Sequence, residues 1–360
     1  MADFLVSEQF LVRSYRGDYR VRIDQDESPE SVFQGKIRFH VIIDSKVAEI
    51  YRDQLKKTLE NDSVLIIQAN EGNKTLQNCV NYVAKLLEKR IKRGNRILSI
   101  GGGVIQDISC FVSSILMRGI EWNYYPTTLL AQADSCIGSK SSINFGGIKN
   151  IVGGYYPPTE VVINPMFLKT LEEAEIRSGL GEILKICALE GESEFEKIAA
   201  SYKALTASGP LLQRFILLSL NLKKSYIEAD EFDTGQRNLL NYGHSFGHAI
   251  ESSSGFAIPH GVAVSMGMDM ANWVSARLGF EKGRVFDKCH ATLFENYKMS
   301  KDVAICPEKF LSGIGSDKKN SEQGLGVIIP VGGWKFEKKW LKPDKAFQCA
   351  CTEYLEGLKK

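Results

Sequence analysis

In the first half of the chain, short continuous apolar runs alternate with segments whose apolar residues recur every three or four positions. The continuous runs are IRFHVIID (37–44), SVLIIQAN (63–70) and RILSI (96–100). Their length and composition predict buried strands. The spaced pattern from Leu76 to Ile91 predicts an amphipathic helix that ends at Gly94, and KVAEIYRDQLKKTLEN (46–61) predicts another helix. Strands that alternate with helices predict a parallel sheet with helical crossovers.

The pattern changes in the second half of the chain. From Leu171 to about Gly279 nearly every segment has helical spacing, and Ser208-Gly209-Pro210 predicts a turn between two helices. We therefore predict two domains. Residues 1–165 form a Rossmann-like α/β domain with a parallel sheet, and residues 166–360 form an all-α domain.

Composition and charge narrow the function classes. The chain has 360 residues, 44% apolar and 24% charged, which is ordinary for a globular enzyme. Its 45 lysines and arginines against 43 acidic residues leave a net charge of +2, too small for a nucleic-acid-binding face. The chain has no apolar run near the roughly 20 residues of a membrane span and no signal-peptide core. The eight cysteines form no CxxC pair and are expected to be free thiols. We expect a cytoplasmic protein that binds neither membranes nor nucleic acid.

A glycine-rich segment follows the third predicted strand. SIGGGVIQD (99–107) places three glycines between a strand and a helix. Glycine allows a tight turn and close approach to a ligand, and the N-terminus of the following helix favours a pyrophosphate. The segment lacks the GxGxxG pattern, so a purely structural turn and a nucleotide site both remain open.

The histidines suggest a metal site. NYGHSFGHAIE (241–251) places His244 and His248 one helical turn apart, and His260 follows. This spacing suits two metal ligands, or one ligand beside an acid–base group. A carboxylate would complete the set, but spacing does not decide whether it comes from Glu182, Glu190 or Glu251.

Several cationic residues lie in apolar or glycine-rich sequence rather than on charge-alternating faces. They are Arg118, Lys140, Lys149, Lys185, Lys223 and Arg237. A buried cation needs an anionic partner. These residues therefore suggest a substrate that carries phosphate or carboxylate groups.

The longer motifs give the chain a resemblance to the sugar phosphate cyclase family, the family of the 3-dehydroquinate synthases. They are GGGVIQD, MRGIEWNYYPTTLLAQADSCIGSK, IKN, RSGLGEILK, DEFDTGQRNLLNYGHSFGHAIE, HGVAVSMGM and DKKN. They occur in the family's order with similar spacing, and the resemblance covers about residues 40–330. It implies the family's fold, an NAD-binding α/β domain followed by a helical metal- and substrate-binding domain.

The resemblance also implies site residues. It implies a zinc or cobalt ion on Glu182, His244 and His260, so His248 becomes a polar contact near the phosphate. The implied NAD-binding residues are Asp44, Glu71, Lys74, Gly102, Gly103, Val104, Asp107, Thr127, Thr128, Leu130, Asp134, Lys140, Lys149, Thr170, Leu171 and Glu175. The implied catalytic residues are Lys140, Glu182, Lys185, Lys223, Arg237, Asn241 and His248. Further substrate contacts are implied for Arg118, Asp134, Asn150 and one of Lys318 and Lys319. Arg118 would act across the interface of a homodimer.

The family reaction combines a transient oxidation by NAD, elimination of phosphate, reduction, ring opening and an intramolecular aldol closure. Asn241, His248 and Arg237 match members that act on 3-deoxy-D-arabino-heptulosonate 7-phosphate in the shikimate pathway of aromatic amino acid biosynthesis. Gln106, Ser139 and Val262 depart from the usual pattern, as does the segment SSINFGGIKN. Two alternatives therefore remain: a specialised cyclase acting on sedoheptulose 7-phosphate or glucose 6-phosphate, and a metal-dependent NAD polyol dehydrogenase. A non-catalytic binding protein is disfavoured, because it has no need to hold mutually repelling cations together.

Overall fold

The computed structural model describes residues 9–205, 209–315 and 322–358. The chain divides into two compact units, which consist of Met1–Leu171 with Lys224–Phe232 and of Glu172–Lys223 with Asp233–Lys360. The domain boundary predicted between residues 165 and 166 stays a prediction. The contact pattern adds to the first unit a segment, Lys224–Phe232, that lies far along the sequence.

The first unit is built on a seven-stranded sheet. Its strands are β1 (Gln9–Val12), β2 (Tyr19–Ile23), β3 (Phe39–Asp44), β4 (Val64–Ile67), β5 (Arg96–Gly101), β6 (Trp122–Pro126) and β9 (Glu160–Ile163). Strands β7 (Ile143–Phe145) and β8 (Ile148–Val152) form a separate hairpin. The spatial order is β1-β2-β9-β6-β5-β3-β4. Every neighbouring pair is parallel except β1 with β2. The predicted parallel sheet is therefore confirmed.

Helices connect the parallel strands β3, β4, β5 and β6. They are α1 (Ser45–Ile50), α2 (Lys56–Leu59), α3 (Leu76–Glu88) and α4 (Gly103–Ile115). Val41, Ile43, Leu98 and Ile100 are fully buried, as expected for strands covered on both faces.

The structure corrects three local predictions. The single helix predicted over 46–61 is two short helices, because turns occupy residues 51–55. The helix from Leu76 ends at Glu88 and not at Gly94. Arg90, two residues after its end, has a positive φ of 60°, and Gly94 lies in a later turn. Strands β1 and β2 were not predicted. β2, YRVRI, alternates apolar with charged residues, and the apolar part of β1, QFLV, is only three residues long.

The second unit is helical, as predicted, with one antiparallel hairpin in addition. Its helices are α5 (Glu173–Glu190), α6 (Glu192–Leu205), α7 (Gly209–Ala229), α8 (His244–Ser253), α9 (His260–Arg277), α10 (Arg284–Tyr297), α11 (Pro307–Gly315) and α12 (Lys345–Gly357). The last residues of α7 belong to the first unit. The hairpin consists of β10 (Leu325–Val331) and β11 (Lys335–Leu341). Of the predicted turn at 208–210, Ser208 lies outside the described residues, and α7 begins at Gly209.

Glycines bring α5 and α9 into backbone contact. A Cβ on Gly181 of α5 would lie 2.0 Å from the carbonyl oxygen of Gly261, and a Cβ on Gly261 of α9 would lie 1.8 Å from the carbonyl oxygen of Ser178. The Gly261 N–H also donates to Ser178 Oγ at 2.9 Å. Only glycine at both positions permits this approach, which fixes the two helices at the residues next to Glu182 and His260.

Among the described residues, no helix has the length and apolar character that a membrane crossing requires.

Candidate active site

In the first unit, most of the residues implied for NAD follow four neighbouring parallel strands. Asp44 ends β3, Glu71 and Lys74 come after β4, and Thr127 follows β6. The glycine turn ends β5, which lies between β3 and β6. Carboxyl ends of parallel strands share one edge of the sheet, and this edge is where doubly wound folds bind ligands.

The glycine turn joins β5 directly to α4. A Cβ on Gly102 would lie 2.9 Å from Thr128 Cγ2, so this turn has no room for a side chain. Gly102 is the N-cap of α4, which begins at Gly103 and has no side-chain cap. The first N–H groups of α4, including that of Val104, are left for a ligand, an arrangement that favours a pyrophosphate.

An ionic network around the buried Lys74 lies close to this turn. Lys74 Nζ contacts Asp107 Oδ2 at 3.0 Å and Glu71 Oε1 at 3.2 Å, and it donates to Asn150 Oδ1 at 2.9 Å. Burial raises the pKa of Asp107 to about 6, against the opposing effect of Lys74. Burial alone would lower the pKa of Lys74, but Asp107 and Glu71 raise it above its usual value. At pH 7 the carboxylate and the ammonium are therefore both charged.

Replacing Lys74 with methionine should destabilise the protein by about 2 kcal/mol at pH 7.5, because the partly buried Asp107 carboxylate would lose its cation. Since burial raises the pKa of Asp107, ionisation of this group costs stability as the pH rises from about 4 to about 6. The deficit of K74M should therefore shrink at pH 5. Urea unfolding of K74M and of the wild type at pH 7.5 and pH 5 measures this difference in the free energy of unfolding. The double variant K74M/D107N should recover most of the loss, and additive losses would contradict the ion pair.

Several of the remaining residues implied for NAD make hydrogen bonds within the protein or begin or end local elements. Thr128 Oγ1 accepts a hydrogen bond from the Ala131 N–H at 3.2 Å, and Thr170 Oγ1 lies 3.0 Å from the Tyr51 hydroxyl. Leu130 precedes the π-helical turn Ala131–Ser135 that contains Asp134, and Leu171 ends the 3-10 helix Pro165–Thr170. Glu175, in the second unit, accepts from the Glu172 N–H in the capping box of α5. Contacts of these residues with NAD stay a prediction.

In the second unit, three implied metal ligands converge from three helices. Glu182 lies on α5, His244 begins α8 and His260 begins α9. Glu182 Oε1 lies 3.7 Å from His244 Nε2 and 3.5 Å from His260 Nε2. One ligand atom from each residue lies within 4.8 Å of the others. Ligands about 2.1 Å from a tetrahedral zinc ion are about 3.4 Å apart, so the three residues fit such an ion.

The environment of this Glu182–His244–His260 cluster favours a cation. Glu182 is 1% exposed, and its other oxygen, Oε2, accepts a hydrogen bond from Lys185 Nζ. Burial alone would lower the pKa of His260, but hydrogen bonds to Glu182 and Glu251 raise it to about 10. The cluster therefore stabilises positive charge in the position where a divalent ion would lie.

The other implied catalytic residues of this unit differ in burial. Lys185, Lys223 and Arg237 are 2%, 7% and 6% exposed, which agrees with the prediction of buried cations. Asn241 donates to the Asn238 carbonyl at 3.0 Å. His248 is exposed, and its ring centroid lies 5.6 Å from that of His244 and 5.8 Å from that of His260.

The prediction that all six cations are buried is wrong for three of them. Arg118, Lys140 and Lys149 are exposed. Glycines and apolar neighbours flank them in sequence, but Lys149 lies on the hairpin strand β8, and Lys140 pairs with Tyr155 in an isolated bridge. Their roles as substrate or cofactor contacts stay predictions. Lys318 and Lys319 lie outside the described residues.

The sequence did not reveal how the histidine rings are oriented. His244 Nδ1 lies 3.3 Å from the Tyr242 carbonyl oxygen, and His260 Nδ1 lies 3.3 Å from Glu251 Oε2. Both contacts depend on local backbone geometry or helix packing, so the spacing of residues gives no signal for them. Glu251, left open from spacing as a third metal ligand, lies on the opposite side of the His260 ring from Glu182, and it forms a second candidate metal group with His248 and His260.

Together the two units define a protein with a doubly wound α/β unit and a helical unit that carries a candidate metal centre. The family model of the 3-dehydroquinate synthase N-terminal domain matches residues 64–178, and that of the 3-dehydroquinate synthase C-terminal domain matches residues 179–320. A 3-dehydroquinate synthase from Dehalococcoides mccartyi (strain CBDB1) is 35% identical over 314 residues, which are 85% of this chain and 88% of that protein. The chain belongs to the 3-dehydroquinate synthase family.

Solved structures share the fold. A 2-deoxy-scyllo-inosose synthase, complexed with carbaglucose-6-phosphate, NAD+ and Co2+, superposes with a TM-score of 0.83 at 22% identity, over 96% of this chain and 99% of that one. The 2-epi-5-epi-valiolone synthase of Streptomyces hygroscopicus subsp. jinggangensis 5008, with NAD+ and Zn2+ bound, gives a TM-score of 0.80 at 22% identity, over 95% and 96%. The predicted fold class is confirmed.

Proposed function

We propose that this protein is an NAD- and metal-dependent sugar phosphate cyclase that converts 3-deoxy-D-arabino-heptulosonate 7-phosphate into 3-dehydroquinate and phosphate. The observation that carries the proposal is the cluster of Glu182, His244 and His260, whose ligand atoms lie within 4.8 Å of one another in a unit that also buries Lys185, Lys223 and Arg237. Membership of the 3-dehydroquinate synthase family supports the choice of reaction.

The cluster binds zinc or cobalt in this proposal, and the glycine turn of the first unit binds NAD. When bound, the ion lowers the pKa of a ring alcohol of the substrate and NAD accepts and returns one hydride. Lys185 neutralises the second oxygen of Glu182 and so fixes the direction of the first. Lys223 and Arg237, both buried, hold the anionic groups of the substrate. His248, on the exposed side of the histidine cluster, contacts the phosphate that leaves.

A specialised cyclase is the second candidate, because three residues depart from the usual pattern. All three residues lie in the interior. Gln106 exchanges hydrogen bonds with Ser135, and Ser139 and Val262 are 1% and 3% exposed. Phosphate release from the alternative substrates decides between the two candidates.

The proposal extends to assembly and pathway. We place the protein in the shikimate pathway in the cytoplasm, acting as a homodimer. Arg118 is exposed and has a positive φ of 68°, a conformation that aims its side chain differently from a regular helical residue. In this proposal Arg118 serves the partner subunit's substrate.

The test is phosphate release by the purified protein with NAD and zinc or cobalt. We expect release from 3-deoxy-D-arabino-heptulosonate 7-phosphate, with 3-dehydroquinate as the product by mass spectrometry. Because the hydride returns to the substrate, NADH absorbance should not accumulate. Chelation of the metal should stop the release, and added zinc or cobalt should restore it. Sedoheptulose 7-phosphate and glucose 6-phosphate are the parallel substrates.

Each alternative gives a different result. Release from either parallel substrate alone would assign the protein to specialised carbocycle synthesis. Net NADH formation without phosphate release would make it a polyol dehydrogenase.

A further inference from the structure

The imidazole of His260 has a carboxylate on each side. Its Nε2 lies 3.5 Å from Glu182 Oε1, and its Nδ1 lies 3.3 Å from Glu251 Oε2. Glu182 comes from α5, and Glu251 comes from α8, one turn after His248. The side chain of Glu251 is 15% exposed, so it is largely shielded from water. The orientation of this ring is therefore set from both sides.

These contacts create two overlapping groups that could each hold a cation. The inner group is Glu182, His244 and His260, and the outer group is His248, Glu251 and His260. The two groups share His260 but use opposite nitrogens of its ring. A neutral imidazole has one nitrogen with a lone pair and one that bears a proton. When the lone pair of Nε2 serves the inner group, Nδ1 bears the proton, and the outer group loses its third ligand.

Burial and charge identify the inner group as the cation site. Glu182 is 1% exposed and is already held by Lys185, whereas His248 of the outer group is exposed. The proton on Nδ1 of His260 then points at Glu251, and a carboxylate is a strong acceptor for it.

We infer that Glu251 is a positioning residue: it accepts the Nδ1 proton of His260, fixes the ring's tautomer and directs Nε2 toward the metal. This inference rests on the proposed function, since it requires the metal. The same arrangement occurs at His244, where the acceptor is the Tyr242 carbonyl oxygen, 3.3 Å from Nδ1. A backbone carbonyl can only accept, so this contact requires the proton of His244 on Nδ1 and directs the lone pair of Nε2 toward the inner group.

The two acceptors, the Tyr242 carbonyl and the Glu251 carboxylate, have different effects on the histidines that donate to them. The Tyr242 carbonyl is neutral, whereas Glu251 is anionic and increases the basicity of the imidazole bonded to it. Glu251 therefore orients His260 and also strengthens it as a ligand. Residues in this role typically contribute 10- to 100-fold to metal affinity, roughly the range expected here.

The experiment measures the zinc affinity of the full chain without NAD or substrate, by competition with a chromophoric chelator. Glu251→Ala should weaken zinc binding by about 10- to 100-fold. Glu251→Gln should lose less than about fivefold, because its amide oxygen still accepts the proton. Glu190→Ala is the matched control: Glu190 is exposed on α5 and was the other carboxylate that spacing left open, so its removal should leave zinc affinity unchanged.

Two further measurements separate positioning from a general loss of structure. The visible spectrum of the cobalt-loaded protein reports coordination geometry, and it should change in Glu251→Ala but not in Glu251→Gln. If the alanine variant does not fold, Glu251→Asp keeps the charge but shortens the reach. It should weaken zinc binding by about tenfold while the metal-free chain unfolds at the same urea concentration.

The outcomes are distinguishable. Unchanged zinc affinity in Glu251→Ala, with normal binding by the wild type, would overturn the inference and leave the proposed function standing. Loss of a second zinc equivalent on replacing Glu251 would also overturn it, because the outer group would then be a metal site itself. A wild-type chain that binds no zinc or cobalt would overturn the inference and the proposed function together.

Discussion

Replacing His260 with alanine should abolish tight metal binding and reduce phosphate release by about 10³-fold or more. His260 supplies one of three ligand atoms that lie within 4.8 Å of one another, and its loss leaves only Glu182 and His244. Two protein ligands do not hold a zinc ion against a competing chelator, because catalytic zinc sites use three. Metal content after dialysis and initial rates of phosphate release measure both effects.

His248→Ala is the matched control for this prediction. His248 is a neighbour of His260, with 5.8 Å between the two ring centroids, but it is exposed and lies outside the inner group of Glu182, His244 and His260. This variant should keep its metal, whereas turnover should fall by about 10²-fold, as expected for loss of a polar contact to the leaving phosphate. Equal metal loss in both variants would show that the ligand assignment is wrong.

The second large effect is expected at the contact between α5 and α9. Gly261→Ala should destabilise the protein by about 3 kcal/mol, because the new Cβ would lie 1.8 Å from the Ser178 carbonyl oxygen. The backbones cannot absorb this overlap without moving apart. Since Glu182 follows Gly181 and His260 precedes Gly261, the movement would separate two metal ligands. Zinc affinity should therefore fall together with stability.

Thermal unfolding and zinc competition measure this prediction. The midpoint should fall by about 10 °C. Gly357→Ala is the control, because a Cβ at Gly357 meets nothing within 4 Å and this residue ends α12 without a positive φ. Its midpoint should stay the same or rise slightly. A stable Gly261→Ala protein with normal zinc affinity would mean that the helix contact does not set the ligand positions.

Local sequence patterns predicted the elements whose burial leaves a periodic signal. Strands β3, β4 and β5 were predicted from continuous apolar runs, and α3 was predicted from its spaced apolar face. Strands β1 and β2 were missed because they mix apolar with polar residues. The hairpin of β10 and β11 was missed because the unit was predicted to be all-α, although β10 is a continuous apolar run.

For the active site, spacing predicted which residue types come together only where they lie on one helix. His244 and His248 are both on α8 and were recognised as a pair. The carboxylate that joins them was left open among Glu182, Glu190 and Glu251. Glu182 and Glu190 are on α5, and sequence spacing does not show which residue of a separate helix faces α8. Resemblance to known motifs chose Glu182, and the distances in the structure place it beside both ligand nitrogens.

The sequence by itself determined the family, the order of a parallel α/β part and a helical part, and the residues that could bind metal, NAD and an anionic substrate. These properties depend on residue identity and on short-range spacing, which a linear chain displays directly. Only the tertiary structure decided that Glu182 and Glu251 contact opposite nitrogens of His260, and that Lys185 is buried whereas Lys140 is exposed. The reason is physical: contacts between elements that are separate in sequence, such as the glycine contact of α5 with α9, set these positions, and no local pattern records which elements will touch.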